Sequence, residues 1–476
     1  MPPLKVAPPP GASGVYDLHR ALTSPQSRVG ICPVIPPARS ISLTTATCLV
    51  IANMVGTGVF TSLGFQVGSL PAPWTILVLW LVGGLCAWCG ALCYGELAAA
   101  LPRSGGEYHF LSEIFHPTVG FLAGWISLAV GFSAPIALAG MAFGKYFHTV
   151  FPSIHPLAAA LPMVLLIAAI HFRGTQLGSL FQNTATALKI LLILFLVGAG
   201  WIAATPQPIS FAVQTADAPL LLSPSFAVSL VYVMYAYSGW NASTYIAGEL
   251  RNPGRDLPRS VAIGTAFVAL LYLALNATFL RVAPMQEMAG KVEVGQIAAA
   301  HIFGPLGGRI MAALICAGLV SSISAMTWVG PRVTMAMGED WPLLGFLAHR
   351  NAHGVPAKAI ALQTALVILL LTTSSFEAVL TYLQFALCIC SFLTVVGVFV
   401  LRWRQPLLHR PYRTWGYPIT PLVFLAVNAW ILWHIATGKP TESIAGLATI
   451  LAGILVARIK PGGNRSTTPA APTPTH

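Results

Sequence analysis

Charged residues are scarce in this sequence. Only 8% of the 476 residues are Asp, Glu, Lys or Arg, whereas an average soluble domain carries about 25% charged residues. Hydrophobic residues make up 56% of the chain. This composition argues against a soluble globular protein and indicates helices that lie in a lipid bilayer.

Groupings of residues that support catalysis or metal binding are also missing. Residues 140–145, GMAFGK, are one residue short of a phosphate-binding loop and lie in an apolar segment. The 12 histidines do not form the short paired spacings of a metal site. The 13 acidic residues are too few for an evident proton relay. We therefore expect a protein that is not an enzyme and has no cofactor and no metal.

Apolar segments of about 20 residues, the length that crosses about 30 Å of hydrocarbon, are abundant. Twelve are predicted to be transmembrane helices, at about residues 41–69, 74–100, 119–147, 156–172, 177–203, 224–248, 260–283, 307–334, 356–373, 376–401, 416–436 and 441–458. Residues 1–39 and 459–476 are too rich in proline or polar residues to pack and are predicted to be disordered tails. No removable signal peptide is apparent before the first span. The predicted membrane domain covers residues 40–458.

The distribution of Lys and Arg predicts the orientation of this domain. If the N-terminus is inside, the inner segments hold 19 of the 25 basic residues, the outer segments hold 5, and Lys189 lies within a span. Basic loops stay cytoplasmic, so both termini are predicted to be cytoplasmic in the plasma (inner) membrane. The net charge of +12 then reflects orientation and contact with anionic lipid, and no nucleic acid partner is expected.

Cysteine placement bears on possible partner subunits. The eight cysteines lie almost entirely in predicted spans, and none lies in a predicted outer loop. Cys86 and Cys89 have the spacing of a redox motif, but within an apolar span they are interpreted as small packing residues. We therefore expect no disulfide-linked heavy subunit, and we expect a monomer or a homodimer.

Two spans carry glycine in the middle of an apolar run. The first contains Gly56-Thr57-Gly58 within IANMVGTGVF, and the sixth contains Ser238-Gly239 within VYVMYAYSGWNAS. A single cluster more often serves helix packing, as expected for Gly140 and Gly144. Two clusters five spans apart instead favour an inverted repeat of five helices in which spans 1 and 6 are broken. The predicted repeats cover about residues 40–203 and 224–401, and two extra helices cover about residues 416–458.

A break of this kind suits a zwitterion. Free N–H groups at the start of a half-helix attract a carboxylate, and the free carbonyls of the preceding half can accept hydrogen bonds from an ammonium group. An α-amino acid carries both groups on one carbon. The sequence therefore predicts a solute of this shape.

Lys189 lies deep within the fifth predicted span. Twelve residues at 1.5 Å each put it about 18 Å below the start of the span, and a charge at that depth costs at least a few kcal/mol. The alternative is that the side chain extends to the membrane surface, but this depth exceeds its reach. We therefore expect Lys189 to face the interior of the protein.

Five motifs together resemble the amino acid–polyamine–organocation superfamily, in particular its L-type amino acid transporter and bacterial amino acid exchanger branch. They are MVGTGVF, YGELAAALPRSGGEYHFL, YAYSGWN, GELRNPGRDLPRS and RPYRTWGYPITPL, and they occur in the family's order over about residues 40–436. The resemblance implies a fold of the leucine-transporter type with twelve helices, helices 1 and 6 being discontinuous.

The resemblance also implies a set of site residues. Backbone groups of Gly56, Thr57 and Gly58 would bind the substrate carboxylate, and the carbonyls of Met54 and Tyr235 would bind its ammonium group. The remaining expected substrate-binding residues are Ser238, Gly239 and Asn241. Tyr235 also occupies the position of the family's aromatic gate, and Ser127, Ser133 and Gln384 could line the pocket or simply pack.

In sodium-independent relatives a lysine at the position of Lys189 resembles a built-in substitute for a sodium ion. It would bond carbonyls near Ala52 or Asn53 and hydroxyls among Ser321, Ser322 and Ser324. Glu107 and Glu113 lie in segments near several arginines, where solvated loop charges are the default interpretation, and the same default applies to Glu96 and Glu249. The resemblance suggests that Glu96 and Glu249 close an inner gate through ion pairs with Arg103, Arg251, Arg255 or Arg259.

The function expected from these observations is transport of L-amino acids by alternating access. The expected substrates are small to medium neutral L-amino acids, moved by sodium-independent exchange or proton-coupled uptake. The alternatives are a permease for a polyamine or a cationic amino acid, a ligand-gated channel, or a non-transporting sensor on the same scaffold.

Overall fold

The computed structural model describes residues 41–103, 105–174 and 179–459. The predicted tails, 1–39 and 459–476, lie outside these ranges except for Ile459. No β-strand occurs within the described ranges, where a single isolated bridge joins Ile41 to Leu250. The predicted all-α membrane architecture is confirmed at this level.

The described ranges contain seventeen α-helices. They are α1 (Leu43–Met54), α2 (Gly58–Gln66), α3 (Pro73–Ala100), α4 (Glu107–Ile114), α5 (Pro117–Ile126), α6 (Ser133–Val150), α7 (Pro156–Phe172), α8 (Ser179–Ile202), α9 (Pro224–Tyr237), α10 (Pro253–Val282), α11 (Met285–Met288), α12 (Val294–Asp340), α13 (Gly345–Ala348), α14 (Ala357–Thr373), α15 (Phe376–Arg404), α16 (Ile419–Gly438) and α17 (Pro440–Arg458). A π-helical turn, Ser127–Gly131, joins α5 to α6, and a 3-10 segment, Ala242–Glu249, follows α9.

Nine helical units in the described ranges are long and apolar enough to cross a membrane, and a tenth is added if the bent pair Thr215–Leu222 and Pro224–Glu249 is one span. Two further apolar helices, α7 and α14, have 17 residues each. Each of the twelve predicted segments overlaps one of these units, but the count of twelve spans stays a prediction.

Two element boundaries differ from the sequence-based prediction. The seventh predicted span starts at residue 260, whereas α10 begins at Pro253, which occupies the first helical position, where proline is favoured. The eighth predicted span starts at residue 307, whereas α12 begins at Val294 and is kinked at Gly304, whose φ is +77°. A helical stretch of about three turns therefore precedes the kink and the predicted span.

The helices pack in two groups with two helices between them. In the first group α3, α9 and α10 contact one another and α1 packs on α10, while α6, α7, α12 and α14 form the second group. α8 contacts both α10 and α12, while α15 contacts both α3 and α6. The broken helices α1–α2 and α9 lie in the first group, and α6 and α12 of the second group lie opposite them.

Candidate functional site

The first predicted break is present between α1 and α2. Val55 has φ −75° and ψ 82°, close to an inverse γ-turn, and the N–H of Gly56 donates to the carbonyl of Met54 at 2.8 Å. Backbone bonding resumes with the N–H of Phe60, which donates to the carbonyl of Thr57 at 3.1 Å. Within the described ranges, the N–H groups of residues 57, 58 and 59 have no backbone acceptor. The break therefore leaves three free donors at the start of α2.

The second predicted break follows α9. The N–H of Ser238 donates to the carbonyl of Tyr235 at 3.0 Å, and the helix ends there. Gly239 has φ +96°, a conformation that residues with a side chain rarely adopt. The chain continues from Asn241 into the 3-10 segment Ala242–Glu249. Both breaks expected from the glycine clusters are therefore present.

The two breaks lie against each other. A Cβ atom on Gly58 would lie 2.4 Å from the Cα atom of Ala236, in the last turn of α9. A Cβ atom on Gly239 would lie 2.9 Å from the carbonyl carbon of Asn53, in the last turn of α1. Each glycine thus packs against the helix that precedes the other break. Only glycine permits this reciprocal approach of two backbones.

A cavity of about 40 Å³ lies between the breaks. The predicted site residues that line it are Met54, Gly56, Thr57, Gly58, Tyr235 and Ser238. Ala139 of α6 and Ser322 of α12 line its opposite wall. Gly239 and Asn241, the other two predicted binding residues, line an adjoining cavity that shares Ser238 with this one. The structure therefore brings all eight predicted substrate-binding residues to one region.

The two carbonyls expected to bind an ammonium group already accept hydrogen bonds. Met54 O accepts from the N–H of Gly56 and from the Tyr272 hydroxyl of α10. Tyr235 O accepts only from the N–H of Ser238 among the described backbone donors, so one of its lone pairs stays available. Tyr272 was not identified from the sequence, because nothing in its own segment marks its contact with a residue 218 positions earlier.

Lys189 faces the protein interior and reaches the first break. Its Nζ atom donates to the carbonyl of Val55 at 2.8 Å and to the Ser322 hydroxyl at 3.2 Å. Its side chain is 4% exposed, and its aliphatic part packs on Gly318 of α12. The cation therefore joins α8 to both the broken helix and α12.

The detailed partners of Lys189 differ from those expected. The carbonyl is that of Val55, two residues beyond Asn53, because the γ-turn directs this oxygen away from the helix axis. Ser321 is buried, and its hydroxyl lacks a hydrogen-bond partner within the described chain. The Ser324 hydroxyl lies 3.0 Å from Nε2 of His171. Of the three candidate serines, only Ser322 contacts the lysine.

Aromatic rings that were not identified from the sequence stack on one another where α2, α9 and α15 meet. Phe65 of α2 stacks on Tyr232 of α9 and on Phe376 of α15, with ring centroids 5.2 and 5.6 Å apart. The Tyr232 hydroxyl donates to Glu377 at 2.8 Å, and Lys439 donates to the same carboxylate oxygen at 2.8 Å. Because the stack joins three helices, it could not be recognised from the sequence of any one of them.

The predicted gate carboxylates have other partners than expected. Glu96 is 1% exposed and is bound by the Arg402 guanidinium through bonds of 2.6 and 2.8 Å, and Thr414 N–H donates to it at 2.7 Å. The solvated interpretation is therefore wrong for Glu96. Arg402 lies on α15 and Thr414 lies in the loop that follows it. Both face the C-terminal end of α3, where Glu96 lies. Glu249 accepts Ile41 N–H through its backbone carbonyl at 3.1 Å, and its carboxylate makes no ion pair within the described chain.

The family and the relatives that this sequence resembles agree with one another. The sequence pattern described as "Amino acid permease" matches residues 41–456. The Asc-type amino acid transporter 1 of Mus musculus is 26% identical over 428 residues, covering 87% of this chain and 80% of the relative. The b(0,+)-type amino acid transporter 1 of Homo sapiens is 25% identical over 429 residues, covering 88% and 87%. The large neutral amino acids transporter small subunit 2 of Mus musculus is 25% identical over 435 residues, covering 88% and 80%.

Proposed function

The chain belongs to the amino acid permease family, and from this premise we propose that it carries L-amino acids across a membrane by alternating access. The carboxylate of the amino acid binds the free N–H groups of Thr57 and Gly58, and its ammonium group binds the free lone pair of the Tyr235 carbonyl. The observation that carries this proposal is the reciprocal contact of the two breaks, which brings donors and acceptor to one cavity.

The free donors favour a solute with a carboxylate. Backbone N–H groups at the start of α2 lie at the positive end of its helix dipole, where an anion is stabilised by about 0.3–1 kcal/mol in exposed sites and more when partly buried. A polyamine lacks a carboxylate and would leave these donors unpaired beneath a closed cavity. The arrangement therefore favours an amino acid over a polyamine.

Lys189 supports transport without sodium. Its ammonium group bonds a carbonyl of the broken helix and a hydroxyl of α12, two of the oxygen types that coordinate hard cations in proteins. We infer that it holds these helices together in place of a bound ion. Exchange of one amino acid for another is then the proposed mode of transport, and proton-coupled uptake is the alternative.

The packing of the helices supports an architecture of two inverted repeats. The first repeat is assigned to residues 40–203 and the second to residues 224–401, with α16 and α17 added after them. The proposed protein has twelve spans, crosses the plasma (inner) membrane with both termini in the cytoplasm, and acts as a monomer or a homodimer without a disulfide-linked heavy subunit. In the proposed orientation the aromatic stack of Phe65, Tyr232 and Phe376 lies at the outer end of the site and closes it.

The size of the cavity supports small to medium amino acids as substrates. The space between the breaks is about 40 Å³, and Ser238 and Met326 border it toward the larger adjoining cavity. An α-amino acid backbone fits the smaller space while its side chain enters the larger one. Tyr235 lies at the boundary between the smaller space and the closed end, which supports its proposed gating role.

Counterflow in proteoliposomes tests this function. Vesicles loaded with unlabelled L-alanine should accumulate external labelled L-alanine transiently, and the initial rate should saturate with substrate concentration. Protein-free vesicles provide the baseline. A flux that does not saturate and is not accelerated by internal substrate would indicate a channel, and binding without flux would indicate a sensor.

A further inference from the structure

A second, larger cavity of about 110 Å³ adjoins the space between the breaks. The two cavities share Asn53, Pro135, Ser238 and Met326, so they are continuous. A molecule bound at the breaks by its backbone groups would direct its side chain into the larger cavity. We call this larger cavity the side-chain chamber.

The polar groups of the side-chain chamber present hydrogen-bond acceptors. Ser127 and Ser391 line it, and their hydroxyls donate to carbonyls of their own helices at 2.9 and 2.8 Å, which leaves their oxygens free to accept. Gln384 also lines the chamber and is 4% exposed. Its amide nitrogen donates to the Cys388 thiol at 3.4 Å, while its Oε1 is buried and has no partner within the described chain. An unpaired buried acceptor is unfavourable, and a donor on a bound solute would pair with it.

Glu107 adds a carboxyl group to this wall. It is the first residue of α4, is 4% exposed and lines the chamber. Its carboxyl accepts a hydrogen bond from the Tyr94 hydroxyl of α3. No Lys, Arg or His nitrogen of the described chain lies within ion-pair distance of it. Burial of a carboxylate without a cation is costly, so the chamber is suited to a cation brought by the solute.

The groups that face Glu107 from other elements carry no charge at neutral pH. They are Tyr94 of α3, Tyr245 of the 3-10 segment that follows α9, and Cys390 of α15. α4 lies outside the membrane-spanning helices, and burial raises the pKa of the Glu107 carboxyl to about 7 against the opposing effect of the Tyr94 hydrogen bond. The charge of the chamber thus changes within the physiological range of pH.

We propose that the side-chain chamber is a subsite for a side chain that ends in a hydrogen-bond donor, a primary ammonium group above all, with Glu107 as its counter-ion and Gln384 as a second acceptor. This inference rests on the proposed function, because the chamber receives a side chain only if the amino acid backbone binds at the breaks. It specifies the substrate class more narrowly than the cavity size does.

Two amino acids of nearly equal shape test the subsite. L-Ornithine and L-norleucine differ at the end of the side chain, where one has an ammonium group and the other a methyl group. In counterflow of labelled L-alanine at pH 8, ornithine should inhibit by half at a concentration at least about tenfold lower than norleucine does. A tenfold difference in affinity corresponds to about 1.4 kcal/mol. At pH 6, where Glu107 is mostly protonated, this preference should fall by up to about tenfold, and norleucine competition should not change.

The variant Glu107→Gln removes the charge and keeps the shape. It should lose the preference for ornithine at pH 8 and should no longer respond to pH. Glu113→Gln is the matched control, because Glu113 lies on the same helix, is exposed and does not line the chamber. The control should behave as the original protein does.

The outcomes separate the two proposals. Equal competition by ornithine and norleucine at pH 8, or a preference that survives in the Glu107→Gln variant, overturns the subsite while alanine counterflow still supports amino acid transport. If Glu107→Gln does not fold, a preference for ornithine that is independent of pH in the original protein overturns the subsite as well. Failure of any L-amino acid to exchange overturns both proposals.

Discussion

The ammonium nitrogen of Lys189 lies 2.8 Å from the carbonyl oxygen of Val55, the residue that forms the turn between α1 and α2. A helix break inside the membrane leaves backbone groups without partners, and each such group costs free energy in a dry environment. Here the freed carbonyl is paired with a buried cation from α8, while the freed N–H groups remain for a solute. The break is thus stabilised through its carbonyl group, and its N–H groups remain available for binding.

Replacement of Lys189 by Met should abolish most transport and leave membrane insertion intact. The variant removes two charge-assisted hydrogen bonds, each worth about 1.5–3 kcal/mol, so the exchange rate should fall by at least about tenfold. Initial rates of counterflow, normalised to the amount of folded protein, provide the measurement. Lys145→Met is the matched control, because Lys145 is exposed at the end of α6, and its rate should not change. Normal transport by Lys189→Met would refute the role of the lysine.

Alanine in place of Gly58 or Gly239 should disrupt the site. In Gly58→Ala the new methyl group meets Ala236, and in Gly239→Ala it meets the backbone of Asn53 in a residue that also has φ +96°. Overpacking of this kind costs about 1–3 kcal/mol. Because the new methyl groups would contact backbone atoms, no flexible side chain could move to make room for them. Both variants should show a lower unfolding temperature in detergent and little counterflow.

Gly198→Ala provides the control for these glycine variants. Gly198 lies in α8, and a Cβ atom there would meet no atom within 4 Å. Because alanine is favoured over glycine within helices, its unfolding temperature should be equal or higher. Equal tolerance of alanine at residues 58, 198 and 239 would contradict the reciprocal packing of the breaks.

Closure of the outer end should depend more on the Tyr232 hydrogen bond than on the Lys439 ion pair. Tyr232→Phe keeps the aromatic stack but loses a hydrogen bond to a carboxylate worth about 1.5–3 kcal/mol. Lys439→Met loses only a partly exposed ion pair with Glu377, worth about 1 kcal/mol at most.

The measurement is labelling of Ala139→Cys, which lines the cavity between the breaks, by a membrane-impermeant maleimide added on the outer side. Tyr232→Phe should raise the labelling rate by about tenfold or more, and Lys439→Met by less than about fivefold. The same labelling of protein that lacks this cysteine gives the background. A larger effect of Lys439→Met would show that the ion pair, rather than the tyrosine, holds the end closed.

Loss of the Glu96 carboxylate should destabilise the fold. Glu96 is buried and binds Arg402 through two hydrogen bonds, and removal of one partner from a buried pair costs about 3–5 kcal/mol. The unfolding temperature of Glu96→Ala in detergent should therefore fall well below that of Glu113→Ala, whose side chain is exposed on α4. Equal unfolding temperatures would mean that the Arg402 pair contributes little.

The parts of this site that could be predicted are those set by the backbone. Glycine clusters mark the breaks because only glycine allows two helices to approach so closely, and both features are local in sequence. The depth of Lys189 could be counted along one helix, so its inward position was predictable. The sequence predicts its acceptor near Ala52 or Asn53 and not specifically at Val55, because counting residues along a helix does not give the geometry of the turn.

The parts that could not be predicted depend on distant contacts. Glu96 and Arg402 are 306 residues apart, and nothing in either segment identifies the other. The default interpretation of Glu107 from the sequence is a solvated loop charge, whereas α4 folds back and buries it against Tyr94 of α3 and beside α15. The stack of Phe65, Tyr232 and Phe376 likewise joins three separate helices. Such contacts follow from the packing of the whole fold.

Competition by three compounds that share one propyl side chain tests the central claim most directly. L-Norvaline carries both the ammonium and the carboxylate group, n-butylamine lacks the carboxylate, and pentanoate lacks the ammonium group. If the breaks in spans 1 and 6 bind both ends of an amino acid, only L-norvaline should inhibit counterflow of labelled L-alanine at millimolar concentration. Inhibition by n-butylamine as strong as that by L-norvaline would contradict the account, because the free N–H groups of α2 would then have no part in binding.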